Sequence, residues 1–296
     1  MELSESDLQR AQQASTLLGQ ASRSMRVLGS VKWDRSMGEA FLAGGADKLP
    51  QVRYKPIKTA AAREAITAAR GYLDADTPVF DWLNRTCDTL ETTASLIETR
   101  GTAQFYEHST ALYGTPKRLL LDGKTQVLEL ARHIDKTLED LNAHDLVLDG
   151  ADEALSASQF ANNLRPHLKA HFGDKAPKIV LSDTISAKAT AGSKRIRVRN
   201  TASFTQMDVR QLLQHEALVH TATSLNGKSQ LEFPSLGSAH AGTTQIQEGL
   251  AVFAEMIAGT MDPSRFRRLA DRVIAIQMSV EGADFIEVYR YYMDRL

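Results

Sequence analysis

At 296 residues the chain can bury a substantial core, as one large domain or two modest ones. Its 35 Lys plus Arg against 36 Asp plus Glu leave no global field to attract nucleic acid or an acidic membrane. The only cysteine, Cys87, excludes an internal disulfide, no apolar run approaches the roughly 18 residues of a membrane span, and the acidic start Met1-Glu2-Leu3-Ser4-Glu5 is wrong for a signal peptide, so a soluble cytoplasmic protein is expected.

Up to about Asp145 the sequence reads as helices rich in alanine, leucine, glutamate and arginine. Breaks fall at Gly44-Gly45, Pro50, Pro56, Gly114-Thr115-Pro116 and Asp122-Gly123. Strand-type runs come later, at Leu146-Val147-Leu148, Lys178-Ile179-Val180-Leu181 and Arg195-Ile196-Arg197-Val198-Arg199, with a helix near 155–172. Strands confined to one stretch predict a predominantly helical α+β fold, with a small β-sheet over a pair of helices. The expected regions are a helical 1–145 and a catalytic 146–296, with a boundary near 143–150.

A further helix is predicted from Thr205 and Asp208, which form a capping box, to Asn226-Gly227. Val209, Leu212, Leu213, Glu216, Ala217 and His220 fall at helical spacing along it. Within it, His215-Glu216-Ala217-Leu218-Val219-His220 sets two imidazoles around a carboxylate. Hydrolytic zinc sites are built so, with neutral imidazoles holding the ion and the adjacent glutamate acting on water. The usual motif has two residues between glutamate and second histidine; this one has three. On a regular α-helix, residues five apart lie about 140° round and on the order of 7.5 Å along, too far to share an ion. A single-turn π-bulge would restore a common face. The pattern therefore fits either a metal pair on a widened helix or core histidines hydrogen-bonded to a nearby acid.

The next helix is expected to start from a second capping box, Thr244 with Gln247, and to run to Gly259. Its aliphatic stripe is Ile246, Leu250, Phe253 and Ile257. Glu248, Ala251, Glu255 and Ala258 lie opposite, on what periodicity alone reads as a solvated face. Small residues there would let the histidine helix approach, and Glu248 could then complete a His₂Glu set with one open position. The last helices follow Asp262-Pro263 and are separated by Gly282.

His108, His133, His144, His167 and His171 lack ligand-type spacing. Arg265, Arg267 and Arg268 read as a solvated helix face, and Tyr289, Tyr291 and Tyr292 as packing residues.

The motif at 215–220, Asn226-Gly227 and Gln247-Glu248-Gly249-Leu250-Ala251 with Phe253-Ala254-Glu255 together resemble the QEGLA-motif family. Its members include bacterial proteins labelled flavohaemoglobin-expression modulators and the animal microtubule-associated tyrosine carboxypeptidases. Ser22-Arg23-Ser24-Met25-Arg26-Val27-Leu28, Thr99-Arg100-Gly101-Thr102 with Leu112-Tyr113-Gly114, and Lys194 to Arg199 extend the likeness over nearly the whole chain. The resemblance implies a Zn²⁺-dependent carboxypeptidase, with His215, His220 and Glu248 as metal ligands and Glu216 as catalytic acid/base. Relatives continue past a helix like that ending in Tyr289-Arg290-Tyr291-Tyr292 into a segment rich in arginine and glycine, so pocket residues from such a segment are expected to be missing here.

The leading expectation is removal of C-terminal residues from a peptide or protein tail by metal-activated water, with neither nucleic acid nor membrane as partner. The alternative is a non-hydrolytic, zinc-stabilised regulatory or interaction module. A carboxypeptidase must hold a free carboxylate, and arginine does so with paired donors. Arg195, Arg197 and Arg199 share one face of a strand just before the histidine helix, so Arg197 or Arg199 is expected to grip the carboxylate, and that strand to offer its edge to the tail. An ordinary solvated face is the plain alternative. His240, eight residues before Glu248, is a candidate oxyanion donor; a loop histidine without a role is the other reading.

Overall fold

Helix boundaries follow local chemistry. In the computed structural model, which describes residues 3–74, 76–143, 153–185 and 187–295, the chain forms α1 (Glu5–Ser24), α2 (Val27–Val31), α3 (Arg35–Ala43), α4 (Ala60–Arg70), α5 (Pro78–Glu98), α6 (Gln104–Tyr113) and α7 (Val127–Ala143). There follow α8 (Ala157–Phe172), strands β1 (Lys178–Ser182), β2 (Ala189–Ala191) and β3 (Arg195–Arg199), then α9 (Gln206–Leu212). After α9 come a π-helical segment, Leu213–Thr221, and α10 (Ala222–Ser229), α11 (Ala241–Ile257), α12 (Pro263–Val280) and α13 (Phe285–Met293). The fold is α+β and predominantly helical, with one small sheet. The expected strand at 146–148, the expected boundary at 143–150 and His144 lie outside the described residues. No helix among the described residues is long and apolar enough to cross a membrane.

Several predicted signals act as read. Thr205 and Asp208 form the reciprocal box read for α9, and a second box that was not among the predicted signals, Ser156 with Gln159, heads α8. Each satisfies backbone N–H groups that a helix start leaves without partners. Asp262 accepts the Arg265 N–H at 2.6 Å, with Pro263 in the first turn. Gly282, at φ 104°, takes the left-handed backbone that parts α12 from α13.

The chain folds into two compact units, each assembled from separate stretches. One draws on residues 1–26, 58–94 and 150–261. Its sheet has the order β1-β3-β2, with β1 parallel and β2 antiparallel to β3. β3 is therefore the central strand, and the expectation that residues 195–199 present a free edge is corrected: both its edges are paired, and among the described residues β2 carries a free one. Three residues reading Ala-Thr-Ala are too short and too small to announce a strand. The core beneath joins Ile196 and Val198 of β3 to Phe160, Leu164 and Leu168 of α8, to Phe204 and Val209, and to Leu213 and Ala217 of the π-helical segment. Phe160 and Phe204 stack at 4.2 Å. Cys87 of α5 is fully buried in this unit, and burial pushes its thiol up to about 11.

The other unit draws on 27–57, 95–149 and 262–296. α7 packs on α12. Arg295 donates to both oxygens of Asp135, at 2.6 and 2.9 Å, and to Asp271 at 3.1 Å, and Tyr291 donates to Asp271 at 2.9 Å. Phe41 packs edge-on to Phe285 and Tyr289. The packing role expected of Tyr289 and Tyr291 is what these contacts describe. Arg265 is buried, so the solvated face expected of the three arginines does not include it.

One glycine governs how the chain returns from the π-helical segment to α11. A Cβ on Gly227 would stand 2.1 Å from the Leu236 carbonyl oxygen and 2.6 Å from its carbon, both backbone atoms. Ser15 and Ser22 of α1 hold the same return, bonding Ser235 Oγ at 2.7 Å and the Ala239 carbonyl at 2.9 Å. Gly227→Ala is expected to destabilise this unit by about 1–3 kcal/mol through overpacking, read as an earlier urea or thermal transition. An unchanged midpoint would show that the crossing yields without cost.

Candidate metal centre

The helix carrying the histidine motif begins and ends as α-helix and is π-helical from Leu213 to Thr221. At its end the Ala222 N–H donates to the Ala217 carbonyl, five residues back. Such i→i+5 bonding stacks residues five apart on one side. The His215 and His220 rings accordingly stand 4.9 Å apart, centre to centre. The helix runs on to Ser229, past Asn226-Gly227, because Gly227 is a packing residue here and not a stop.

α11 packs against this segment. His215 Nε2 lies 3.5 Å from Glu248 Oε2, and His220 Nε2 lies 3.4 Å from Glu248 Oε1. One donor atom from each of His215, His220 and Glu248 lies within 4.8 Å of the others, and this is the one such group among the described residues. Ligands about 2.1 Å from a tetrahedral ion stand about 3.4 Å apart, so the edges facing Glu248 have the spacing of a shared ion. Two imidazoles and a carboxylate are also the donor types zinc takes when a fourth position stays open. Both rings are mostly buried, while the Glu248 side chain is 55% exposed, which opens the cluster to solvent on that side.

Glu216 points from the same segment toward the sheet. Burial raises its pKa, against the pull of His215 and His220 and of a hydrogen bond from the Ala191 N–H. Thr190 of β2 and the residues flanking the strand, Lys188 and Gly192, face β3: the Lys188 carbonyl accepts from the Arg199 N–H, the Gly192 N–H donates to the Arg195 carbonyl, and Thr190 stands opposite Arg197. The backbone groups of Ala189 and Ala191 therefore point to the free edge. Glu216 meets the sheet at that edge.

Two residues that sequence reasoning placed elsewhere belong to the cluster. Glu255, fully buried, lies 2.6 Å from His215 Nδ1 and accepts 2.9 Å from Gln211 Nε2. Gln247 Oε1 lies 3.1 Å from His220 Nδ1. Gln247 is thus not the capping residue expected of it; α11 starts at Ala241, where Thr243 Oγ1 accepts the His240 N–H at 3.2 Å. The expected solvated face is corrected in part, since Glu248 and Ala258 stay exposed. Ala251 and Glu255 are buried, while Ile246, Leu250, Phe253 and Ile257 are 72, 48, 56 and 72% exposed. Glu255 turns inward because Gln211 and His215 satisfy it, and a small Ala251 lets the helices close. The i, i+3, i+7 stripe of 248, 251 and 255 was the signal for this face. Burial would lower the pKa of His215, yet hydrogen bonds to Glu248 and Glu255 and the charge of Glu216 carry it up to about 9.

The remaining residues of interest lie outside the cluster. Arg197 is exposed on the face of β3 opposite to Ile196 and Val198, and Arg199 is half-buried there. His240 heads α11, about 12 Å along the helix from Glu248. Its ring nitrogens are buried without a hydrogen-bond partner among the described residues, and burial lowers its pKa. His108, His133, His167 and His171 join no metal-type group among the described residues.

A family model described as microtubule-associated tyrosine carboxypeptidase matches residues 39–295. No curated protein and no solved structure matches the chain. The match spans the strands, the histidine helix and α11, so the chain belongs to the microtubule-associated tyrosine carboxypeptidase family.

Proposed function

We propose that this protein is a zinc-dependent carboxypeptidase that removes one or two residues from the C-terminal tail of a peptide or protein. The observation that carries this reading is the convergence of His215, His220 and Glu248 beside a half-buried Glu216 at the outer edge of β2. His215, His220 and Glu248 would hold the ion. When bound, zinc lowers the pKa of water toward about 7 and polarises a carbonyl.

This chain's own residues supply the rest. Glu216 takes the proton of the attacking water and delivers it to the leaving amine. Desolvation helps the first half of that exchange, because a carboxylate with a raised pKa is the stronger base toward the attacking water. The tail lies along the free edge of β2, using the outward groups of Ala189 and the Ala191 carbonyl, while the Ala191 N–H orients Glu216. Arg197, opposite Thr190 and about one strand spacing (~4.8 Å) from that edge, is the arginine proposed for the terminal carboxylate. The family's name suggests a terminal tyrosine, and the cytoplasm is the proposed compartment.

Structural zinc is usually closed by four protein ligands. Three meet here among the described residues, with the carboxylate ligand half open to solvent, which favours catalysis over a purely structural ion. The test is release of terminal tyrosine from a free-acid peptide by the full chain, before chelation, after it, and after zinc is restored. Loss and recovery of release are expected. Tightly bound zinc with no cleavage across a library of free-acid peptides would establish the non-hydrolytic module instead.

A further inference from the structure

We propose that Glu255 is the positioning residue of the site: it fixes the tautomer and orientation of His215 and, through Gln211, locks the π-helical register that lets His215 and His220 meet. The inference rests on the zinc reading above and extends it to residues outside the ligand set.

Glu255 follows Glu248 by seven positions, about two helical turns, so both project from one side of α11. Glu248 presents its oxygens to the Nε2 atoms of both histidines. Glu255 reaches the other nitrogen of His215 at 2.6 Å, and a carboxylate there accepts the Nδ1–H. The proton is then held on Nδ1 and the Nε2 lone pair is turned to the cluster, the tautomer a ligand needs. The second oxygen of Glu255 accepts from Gln211 Nε2 at 2.9 Å, and Gln211 lies in α9, before the helix widens. One rigid carboxylate thus ties the α-helical turn at 211 to the π-helical turn at 215. The Thr260 N–H and Oγ1 both donate to the Glu255 carbonyl, at 2.9 and 3.0 Å, pinning the end of the helix that carries it.

Burial supplies the second argument. A fully buried carboxylate is costly unless hydrogen-bonded and charge-compensated. Three carboxyl groups, Glu216, Glu248 and Glu255, surround two imidazoles. A divalent cation balances Glu248 and Glu255 together. Behind His220, among the described residues, stands a neutral amide, Gln247, at 3.1 Å. The support is therefore unequal, and Glu255 is expected to matter more to the ion than Gln247.

Zinc affinity of the metal-free full chain, measured by competition with a chromophoric chelator, reads this directly, with thermal unfolding of the metal-free form alongside. Glu255→Gln keeps shape and both hydrogen bonds, with Gln211 turned over, but removes the charge. It is expected to weaken zinc binding by about 10–100-fold, while the unfolding midpoint of the metal-free form stays near that of the parent. Gln247→Ala is expected to weaken it less. Gln211→Ala, which leaves the carboxylate in place, serves as the second probe and should fall between parent and Glu255→Gln. If the parent binds zinc and Glu255→Gln binds it equally well, the positioning role is overturned while the carboxypeptidase reading stands. A Gln247→Ala loss equal to that of Glu255→Gln would overturn the asymmetry. A parent that binds no zinc would overturn the functional reading itself.

Discussion

Replacing Glu216 by Gln is expected to leave zinc bound and to cut peptide hydrolysis by about 10²–10⁴-fold, the usual contribution of a positioned acid–base group. That range corresponds to about 3–5 kcal/mol of barrier. The substitution is close to isosteric. An amide oxygen can still accept from the Ala191 N–H, so the side chain keeps its place at the edge of β2. What is lost is the ability to take a proton from water and return it to the amine. His215, His220 and Glu248 are untouched, which is why metal content should persist. Zinc content and turnover measured on the same sample check this, and a Glu216→Gln protein that hydrolyses at the parent rate would remove Glu216 from the mechanism.

The second large effect concerns the ligands and the register that unites them. His215→Ala, His220→Ala and Glu248→Ala should each abolish retention of zinc through desalting, and activity with it, while the protein stays folded. Deleting Leu218 would produce the two-residue spacing of the commoner motif, yet it should do worse than any of these. It rotates all that follows by about 100°. Gly227 would then no longer face the Leu236 carbonyl, whose approach tolerates no Cβ, and α11 would lose its seat. Loss of zinc together with loss of cooperative unfolding is expected for the deletion. A folded, zinc-loaded deletion variant would mean that the π-helical register is dispensable.

The legible and illegible parts of this molecule divide along a physical line. Local chemistry could be read in the chain: the Thr205–Asp208 cap, the Asp262-Pro263 start, the alternation of arginine with Ile196 and Val198, and the need for a widened helix between His215 and His220. Each is decided by residues within a turn or two of one another. What escaped depends on distant partners. Periodicity shows that α11 has two faces but not which one meets a neighbour. The polar one turns inward because Gln211 and His215, some forty residues earlier, satisfy Glu255. The aliphatic stripe is left exposed for the same reason. β2 escaped because one threonine between two alanines is too short a run to signal a strand; pairing with β3 makes it one. Missing β2 then moved the free edge onto the wrong strand.

The central claim is that the site acts on the free C-terminal end of a peptide. It is tested most directly by offering the zinc-loaded protein two peptides of one sequence, ending in tyrosine, one with a free carboxylate and one amidated, and measuring release of the terminal residue. The account predicts release from the free acid and essentially none from the amide, since the carboxylate is the group the proposed arginine holds. Equal cleavage of the two, or cleavage within both chains, would contradict it.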